Sequence, residues 1–241
     1  MMAEKTNARA ESTRAAILRA ALREFADEGA AGARTGAIAR AARVNKALLY
    51  YYFKDKETLY GAALDQAFGE LFQRLHEILD RPLAPREKML AYAGAYFDFV
   101  AANPHYPRLV QQEMMRAGRT GSPHLQRIVQ RYMRPLFAKL SRLFEEGKRR
   151  GEFRDVAPEQ FVPSMIAVVV FYFAGAPMMR MIMGGDPLSP PRIAARRAAV
   201  LDFISAALFR VQGAEAAASR ARAPAPHPEP RRNGHRREGR R

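Results

Sequence analysis

One segment, residues 35–60, limits the possible folds more than any other part of the chain, and it reads TGAIARAARVNKALLYYYFKDKETLY. Thr35 is suited to cap a short helix, and residues 43–45 have the length of a tight turn between two helices. Asn45 is a good N-cap for a second short helix with apolar residues four positions apart on one face. The pattern predicts two short helices that cross and leave the N-terminus of the second one exposed.

Side chains at that exposed N-terminus have the chemistry of a surface that binds DNA. Lys46 offers a cation to guanine or phosphate, and Ala47 and Leu48 offer apolar contacts to a thymine methyl group. Residues 50–52 are three consecutive tyrosines, which fan around the helix so that only part of the fan is buried. A further helix is predicted to start at Lys56, capped by the preceding aspartate, with free N–H groups that suit a phosphate.

The same residues also have a purely structural explanation, in which the tyrosines are core aromatics and the lysines form a solvated face. That explanation is the better one for any single residue. It fails for the set as a whole, because a core needs neither a lysine at the groove-facing position nor three adjacent tyrosines. We therefore favour a helix-turn-helix that binds DNA.

The chain from about residue 12 to residue 60 resembles the tetracycline-repressor (TetR) family of bacterial transcriptional regulators. The match covers the first predicted helix, the DEGAAGART link and the VNKALLYYYFKDKETL run. The resemblance assigns base contacts to Lys46, Ala47, Leu48 and Tyr50. It assigns contacts with the DNA backbone to Thr35, Tyr51, Tyr52 and Lys56. With Asn45, which caps the recognition helix, these residues form the predicted DNA-binding site.

Two positions depart from the pattern of that family. The turn position that is usually glycine is Arg43, which costs about 1 kcal/mol if its backbone adopts positive φ. A frequent threonine or serine is replaced by Leu48, so that an apolar contact replaces a hydroxyl contact. The docking mode is expected to survive both changes, but the operator sequence does not carry over from relatives.

The composition agrees with a DNA-binding protein that also has a body of ordinary size. The chain has 241 residues, 48% of them hydrophobic, which is enough for one core and a small DNA-binding module. The absence of cysteine excludes disulfides, zinc–thiolate sites and cysteine nucleophiles. A net charge of +16 favours a polyanionic partner, and the N-terminus lacks the apolar core of a signal peptide. We therefore expect a cytoplasmic protein.

The rest of the chain has helical periodicity and no strand signal. Apolar spacing predicts a first helix from residue 12 or 13 to Gly29, and a long helix that links the DNA-binding part to the body. The linking helix and those after it are predicted over residues 56–79, 86–102, 106–118, 123–150 with a kink at Pro135, and 192–211. The fold class is all-α, with an N-terminal three-helix helix-turn-helix DNA-binding domain and a C-terminal helical ligand-binding and dimerisation domain.

Four parts are predicted along the chain. They are a flexible N-terminal arm (1–11), the helix-turn-helix DNA-binding domain (12–58), a helical effector-binding and dimerisation domain (59–212) and a disordered Arg/Pro/Ala-rich tail (213–241). The tail has almost no large apolar residue to offset its ordering entropy. Its three Arg pairs either hold non-specific DNA nearby or keep the chain in solution, and both alternatives stay open.

Residues 161–179 form a run of nineteen residues without a charge, which is long enough to raise the question of a membrane span. Pro163, Gly175 and Pro177 interrupt the run, and Arg180 follows it at once. Burial between the core and a partner subunit explains the run better, so we expect no membrane association. The family resemblance places the homodimer interface in the last two helices, which correspond to residues 158–211.

The resemblance also implies a small-molecule effector, bound in the helical body, that changes the spacing of two recognition helices. Few charges occur among the apolar side chains of the body, which favours an apolar or aromatic effector. Taken singly, each side chain named next is better explained as part of the core. The candidate ligand-binding residues are Phe68, Phe72, Tyr92, Tyr96, Met114, Met115, Tyr132, Met133, Met165 and Phe171.

Enzymatic and metal-binding functions have no support in the sequence. It contains no phosphate-binding loop that ends in Lys-Ser/Thr, no dinucleotide fingerprint after a strand and no His-Glu-x-x-His motif. The histidines have no spacing that suits a metal, so neither a metal nor a cofactor is expected. The prediction is a homodimeric repressor that binds a palindromic operator in double-stranded DNA. Two alternatives are a non-specific, charge-driven DNA-coating protein and a membrane-attached regulator.

Overall fold

A computed structural model describes residues 2–210, except the side chains of residues 2–7 and 119–120. Within this part of the chain all regular structure is helical, apart from one isolated antiparallel bridge between Phe153 and Phe209. The helices are α1 Met2–Gly32, α2 Thr35–Ala41, α3 Lys46–Tyr52, α4 Lys56–Leu79, α5 Pro85–Ala102, α6 Tyr106–Thr120, α7 Pro123–Ile128, α8 Arg134–Arg149, α9 Pro158–Ala174, α10 Ala176–Met183 and α11 Pro190–Leu208. The predicted tail lies outside the described residues.

The first helix starts about ten residues before its predicted beginning. The sequence of residues 2–11, MAEKTNARAE, contains no glycine or proline and is rich in good helix formers, so α1 extends through the predicted flexible arm. The start predicted at residue 12 or 13 is therefore wrong. The predicted end is close, because the backbone leaves the helical conformation at Gly29, with φ 72°, and turns once more to Gly32.

The linking helix α4 is the centre of the fold. It packs against α1 on the DNA-binding side and against α5 and α8 in the body. The apolar stripe predicted for this helix is buried along its full length and includes Leu59, Ala63, Ala67, Leu71, Leu75 and Leu79. The helices up to Phe209 form one compact unit, and the predicted boundary between residues 58 and 59 falls inside α4. The position of that boundary therefore stays a prediction.

The long helix predicted over residues 123–150 is present, but it widens where a kink was expected. One π-helical turn, Val129–Met133, joins α7 to α8 and ends just before Pro135. In a regular α-helix the proline ring would meet the carbonyl of Arg131, and the hydrogen bond between them would be lost. The wider turn accommodates the proline, and it lies directly before the position where the kink was predicted.

The uncharged run at residues 161–179 forms parts of two helices. Helix α9 ends at Gly175, and α10 continues at 68° to it. Among the described residues no single helix has the length and hydropathy needed to cross a membrane, although the bent pair of α9 and α10 meets both criteria together. The last helix, α11, ends at Leu208, three residues before its predicted end.

Candidate nucleic-acid interface

The turn between α2 and α3 has the geometry that the sequence predicted. Arg43 lies in the left-handed region with φ 57°, and it is the only non-glycine residue with positive φ in the described part of the chain. The Val44 N–H donates to the Ala39 carbonyl at 3.0 Å, which closes the turn. Ile38 of α2 and Leu49 of α3 are fully buried beneath it. The two short helices are therefore fixed against each other by a common core.

The N-terminus of α3 is capped as predicted, whereas that of α2 is not. The Asn45 side chain accepts a hydrogen bond from the Leu48 N–H at 2.7 Å. Thr35 is the first residue of α2 rather than its cap, because Arg34 occupies the N-cap position without a side-chain bond. The Thr35 hydroxyl instead lies 3.1 Å from the Tyr50 hydroxyl. The capping role predicted for Thr35 is wrong, and its hydroxyl joins α2 to the recognition helix.

Helix α3 presents the predicted base-facing residues to solvent. Lys46, Ala47, Leu48 and Tyr50 are exposed, and the exposed fractions of Leu48 and Tyr50 are 37% and 45%. The tyrosine fan is divided, as predicted. Tyr51 is 82% exposed, while Tyr52 is partly buried against the core and contacts the Tyr51 ring edge-on at 5.4 Å between centroids. These exposed side chains on α3 are free to contact base edges.

A cavity of about 600 Å³ lies beside this surface, between the end of α1, α2, α3 and the start of α4. Four of its lining residues are cations, namely Arg34, Arg40, Lys46 and Lys56. Such a concentration of positive charge suits the phosphates of a DNA backbone. Sequence reasoning missed Arg34 and Arg40. They could have been found, because one directly precedes Thr35 and the other follows it by five positions in the same short helix.

Gly36 also belongs to this cavity and was not predicted. A Cβ atom at this position would lie 2.9 Å from Cε of Lys46, so the glycine lets the lysine stem lie across α2. The side chain of Lys46 thereby reaches the cavity from α3.

Lys56 lies in the predicted place, but its ammonium group is already engaged. The Lys56 Nζ donates to the carbonyls of Ala31 at 2.9 Å and Ala33 at 3.3 Å, at the C-terminal end of α1. An ammonium group has three donors, so one remains for a phosphate. The neighbouring cap is confirmed, since the Asp55 carboxylate accepts from the Thr58 N–H at 2.7 Å. Hydrogen bonds from Thr58 lower the pKa of Asp55 below its usual value.

A cluster of polar side chains, which we call the α4–α6–α7 cluster, ties the start of α4 to the body. At its buried centre Glu113 accepts a hydrogen bond from the Tyr60 hydroxyl at 2.6 Å and another from Ser122. At its outer side Glu57 accepts from Arg116 at 2.7 Å and contacts His124 Nε2 at 2.8 Å. Because α4 begins four residues after α3 ends, these bonds help to fix the position of the C-terminal end of the recognition helix α3.

Comparison with known proteins gives matches over nearly the whole described chain. Residues 17–63 match the family described as bacterial regulatory proteins, tetR family, and residues 85–204 match the tetracyclin repressor-like, C-terminal domain. The HTH-type transcriptional repressor SCO4008 of Streptomyces coelicolor is 30% identical over 73% of this chain and 86% of its own length. The chain belongs to the TetR family.

Other relatives and solved structures agree with this assignment. The HTH-type transcriptional repressor NicS of Pseudomonas putida is 28% identical over 72% of this chain and 82% of its own. The structure of the putative transcriptional regulator SCO4942 from Streptomyces coelicolor has a TM-score of 0.60 at 28% identity, covering 80% of this chain and 97% of that one. The ketosteroid transcriptional regulator KstR2 of Mycobacterium tuberculosis shares the fold, with a TM-score of 0.66 at 19% identity over 82% and 95% of the two chains.

As a TetR-family protein, the chain is a DNA-binding transcriptional regulator and not an enzyme. Regulators of this family bind DNA operators, typically act as dimers and respond to small molecules. The all-α fold and the helix-turn-helix predicted from the sequence are confirmed. In the described part of the chain no group of side chains is placed to hold a metal ion.

The ten residues predicted to line an effector site of this TetR-family protein are divided between the core and the surface. Phe68, Phe72, Tyr92, Tyr96 and Met165 are buried in the core, and Tyr132 and Met133 are partly buried. Met114, Met115 and Phe171 are exposed, with exposed fractions of 60% to 63%, and the ligand-binding role of the set stays a prediction. Sequence periodicity identifies an apolar position, but it does not show whether that position faces a core, a cavity or solvent.

Aromatic stacking explains part of the buried set. The rings of Phe68 and Phe72 stack at 6.1 Å between centroids, and Phe72 stacks on Tyr132 at 5.7 Å. These rings join α4 to the π turn and fill the space between them. A second cavity, of about 250 Å³, lies elsewhere, where the turn between α5 and α6 meets α9 and α10. None of the ten predicted residues lines this cavity.

Proposed function

We propose that this chain is a homodimeric repressor that binds a palindromic operator in double-stranded DNA and is released by a small-molecule effector. Repressor function rests on its similarity to SCO4008 and NicS, which are both named as repressors. A protein with this function acts where the chromosome lies, so we infer a cytoplasmic location.

The observation that carries the proposal is the exposed face of α3 beside the four-cation cavity. Lys46, Leu48 and Tyr50 face solvent on the recognition helix, where they suit base edges in the major groove. Arg34 and Arg40 lie next to them and suit the flanking phosphates. A surface that combines base-reading and phosphate-binding groups favours sequence-specific binding over charge alone.

The dimer is supported by the outer faces of α9 and α11. After Glu159 in its first turn, α9 has no charged residue, and its solvent side exposes Pro163, Ile166, Ala167, Phe171 and Ala174. The solvent side of α11 exposes Ala194, Ala195, Ala198, Ala199, Phe203 and Ala206, with Asp202 as the one acidic residue among them. Small and apolar side chains let helices of two subunits approach closely and bury their contact surface. These helices fall within residues 158–211, the predicted dimer interface.

A dimer brings two recognition helices to one face of the DNA, and an effector acts by changing the distance between them. In this chain α4 begins next to α3 and is bonded to α6 and α7 through the α4–α6–α7 cluster. A displacement of α6 or α7 by a ligand would therefore move α4 and, with it, α3. We infer that the effector is small and apolar or aromatic.

The proposal is tested by selecting binding sites from random duplex DNA at near-physiological salt and sequencing the retained molecules. One palindrome is expected, with half-sites about 10 base pairs apart from centre to centre. The variants Lys46→Ala and Leu48→Ala should change the preferred bases, because their side chains face the groove. Arg142→Ala is the matched control. Arg142 is exposed on α8, so this substitution also removes one positive charge, but on a different helix from the recognition helix α3.

The same experiment distinguishes sequence-specific binding from the charge-driven alternative. A DNA-coating protein would retain molecules without a shared motif, and Lys46→Ala would lower its affinity no more than Arg142→Ala does. That combined result would contradict sequence-specific binding by α3.

A further inference from the structure

The second cavity combines an apolar interior with a basic rim. Its apolar lining includes Pro107 of α6, Phe173 and Ala174 of α9, Ala176 of α10 and Leu188. Its polar lining consists of three basic side chains, His105, Arg108 and Arg180. No carboxylate is among the described residues that line it. Basic side chains at the rim of an apolar interior suit an organic anion.

We infer that this cavity binds the effector, and that the effector is a small carboxylate with an apolar or aromatic body. The inference rests on the proposed function, since it names the site and the chemical class of the releasing ligand. The carboxylate faces Arg108 and Arg180 at the rim, and the body of the ligand contacts Phe173 and Leu188. Arginine suits this role because its planar guanidinium forms paired hydrogen bonds with a carboxylate.

The volume of the cavity limits the size of the ligand. Pockets for drug-sized molecules have volumes of roughly 300–1,000 Å³, and this cavity has about 250 Å³. An apolar cavity of roughly 150 Å³ holds one benzene molecule. The available space therefore fits a single ring, or a branched chain of similar size, that bears one carboxylate.

The rim arginines are at present bonded to carboxylates that lie outside the cavity. Arg108 Nη1 is 3.1 Å from Oδ1 of Asp27, and Arg180 Nη2 is 3.0 Å from Oδ1 of Asp186. Both pairs are about half exposed, and exposed ion pairs are weak because water screens them. A ligand carboxylate held by the apolar interior can therefore replace these partners.

Replacement of Asp27 connects the cavity to the DNA-binding helices. Asp27 lies near the end of α1, two residues before the break at Gly29, and α1 packs against α2. Besides the bond from Arg108, α6 holds this end of α1 through Gln112 Nε2, which donates to the Ala26 carbonyl at 2.9 Å. A carboxylate that removes Arg108 from Asp27 breaks one of the two bonds and loosens α1 on α6.

The binding site is tested by isothermal calorimetry on the full chain without DNA. The probes are benzoate and phenylacetate, and each is compared with its own neutral amide. We expect each acid to bind at least tenfold more tightly than its amide, because only the acid pairs with the arginines. Equal affinities for acid and amide, or no heat from either, would overturn the inference.

Variants assign the binding to this cavity. Arg108→Gln and Arg180→Gln should each weaken acid binding at least tenfold. Both residues are exposed, so the changes are tolerated by the fold, and the melting temperature of each variant verifies this. Arg142→Gln on α8 is the control and should bind the acid as the unaltered chain does. Unchanged acid binding in both arginine variants would place the ligand elsewhere and overturn the inference.

The link to DNA is measured separately, with the operator obtained by selection. The acids should weaken operator binding by the unaltered chain and not by Arg108→Gln. If the unliganded chain selects a palindrome while no acid binds in preference to its amide, the inference fails and the proposed function stands. If no palindrome is recovered, the proposed function fails, and calorimetry still decides whether the cavity binds a carboxylate.

Discussion

Arg43 adopts a backbone conformation that favours glycine, although it carries a long side chain. Its φ of 57° places it in the left-handed region that glycine occupies without penalty, and the resemblance to the TetR family had indicated glycine there. The conformation is imposed by the turn, since Val44 must reach the Ala39 carbonyl. The predicted cost of about 1 kcal/mol therefore applies to the folded chain.

The substitution Arg43→Gly should raise the free energy of unfolding by up to about 1 kcal/mol, because it removes this strain. Urea unfolding without DNA measures the effect. The control is Arg40→Gly, three residues earlier in the helical part of α2, which should lower the free energy of unfolding by about 1 kcal/mol. Effects of the same sign for the two variants would show that the turn is not strained.

Individual residues also show which hydrogen bonds can be predicted from the local sequence. The caps Asn45 and Asp55 were predicted, because an N-cap bonds to an N–H only three residues away. The partners of Lys56 were not, since the carbonyls of Ala31 and Ala33 belong to another helix. A bond between distant segments depends on how the helices pack, and no local pattern encodes it.

Among the helices, α4 is the one whose position depends most on polar contacts. Glu113, which is almost fully buried, receives bonds from α4 and from the start of α7 at once. Gly61 brings α7 closer still, because a Cβ atom there would lie 2.7 Å from Cε1 of His124. The long helix at residues 56–79 was predicted from its apolar spacing, but the polar contacts that orient it were not.

The substitution Tyr60→Phe should destabilise the chain by about 1–3 kcal/mol, because buried Glu113 loses a hydrogen-bond donor. Burial and the bond to Glu113 also raise the pKa of Tyr60, so the hydroxyl stays protonated as a donor. Thermal or urea unfolding measures the change. Tyr92→Phe is the control, since Tyr92 is equally buried and its hydroxyl bonds to no group in the described part of the chain. Similar losses in both variants would contradict a specific role for the bond.

Glu57 should make the stability of the same cluster depend on pH. Burial raises the pKa of Glu57, but hydrogen bonds from Arg116 and His124 outweigh burial and hold the pKa below its usual 4.5. A carboxyl whose pKa is lower in the folded state stabilises the chain above pH 4.5, and this stabilisation is lost as pH falls through the folded pKa. Glu57→Gln should therefore flatten stability against pH below about 4.5. Glu77→Gln, exposed on the same helix, should leave the profile unchanged.

At the scale of the whole molecule, the exposed faces of α9 and α11 form the proposed dimer interface. The all-α architecture followed from periodicity, and Gly175, named as an interruption of the uncharged run, lies where that run is divided into α9 and α10. The cavities were not predictable, because their walls come from helices that are far apart in the sequence. The cavity beside α10, for example, joins residues 104–108 to residues 173–188.

The substitution Phe203→Glu should weaken dimerisation about 10- to 100-fold, since it places two carboxylates at an apolar contact between subunits. Phe203 is 54% exposed in the single chain, so the fold tolerates the change. Sedimentation equilibrium measures the dissociation constant. Met114→Glu is matched to it, because Met114 is 63% exposed but lies on α6, outside the two helices of the proposed interface. A dimer that is insensitive to Phe203→Glu, or one lost equally with Met114→Glu, would place the interface elsewhere.

The π turn at Val129–Met133 determines how the side chains of α7 are rotated about the helix axis relative to those of α8. One residue advances an α-helix by about 100° around its axis, so an inserted residue rotates everything before it relative to everything after it. Before the turn, Arg127 pairs with Asp65 of α4, and after it Lys139 pairs with Asp80, the C-cap residue of α4. Deleting one residue of the turn would keep the helix continuous and swing Arg127 and His124 away from α4. The extra residue of the π turn therefore lets the α7–α8 helix form ion pairs with both Asp65 and Asp80.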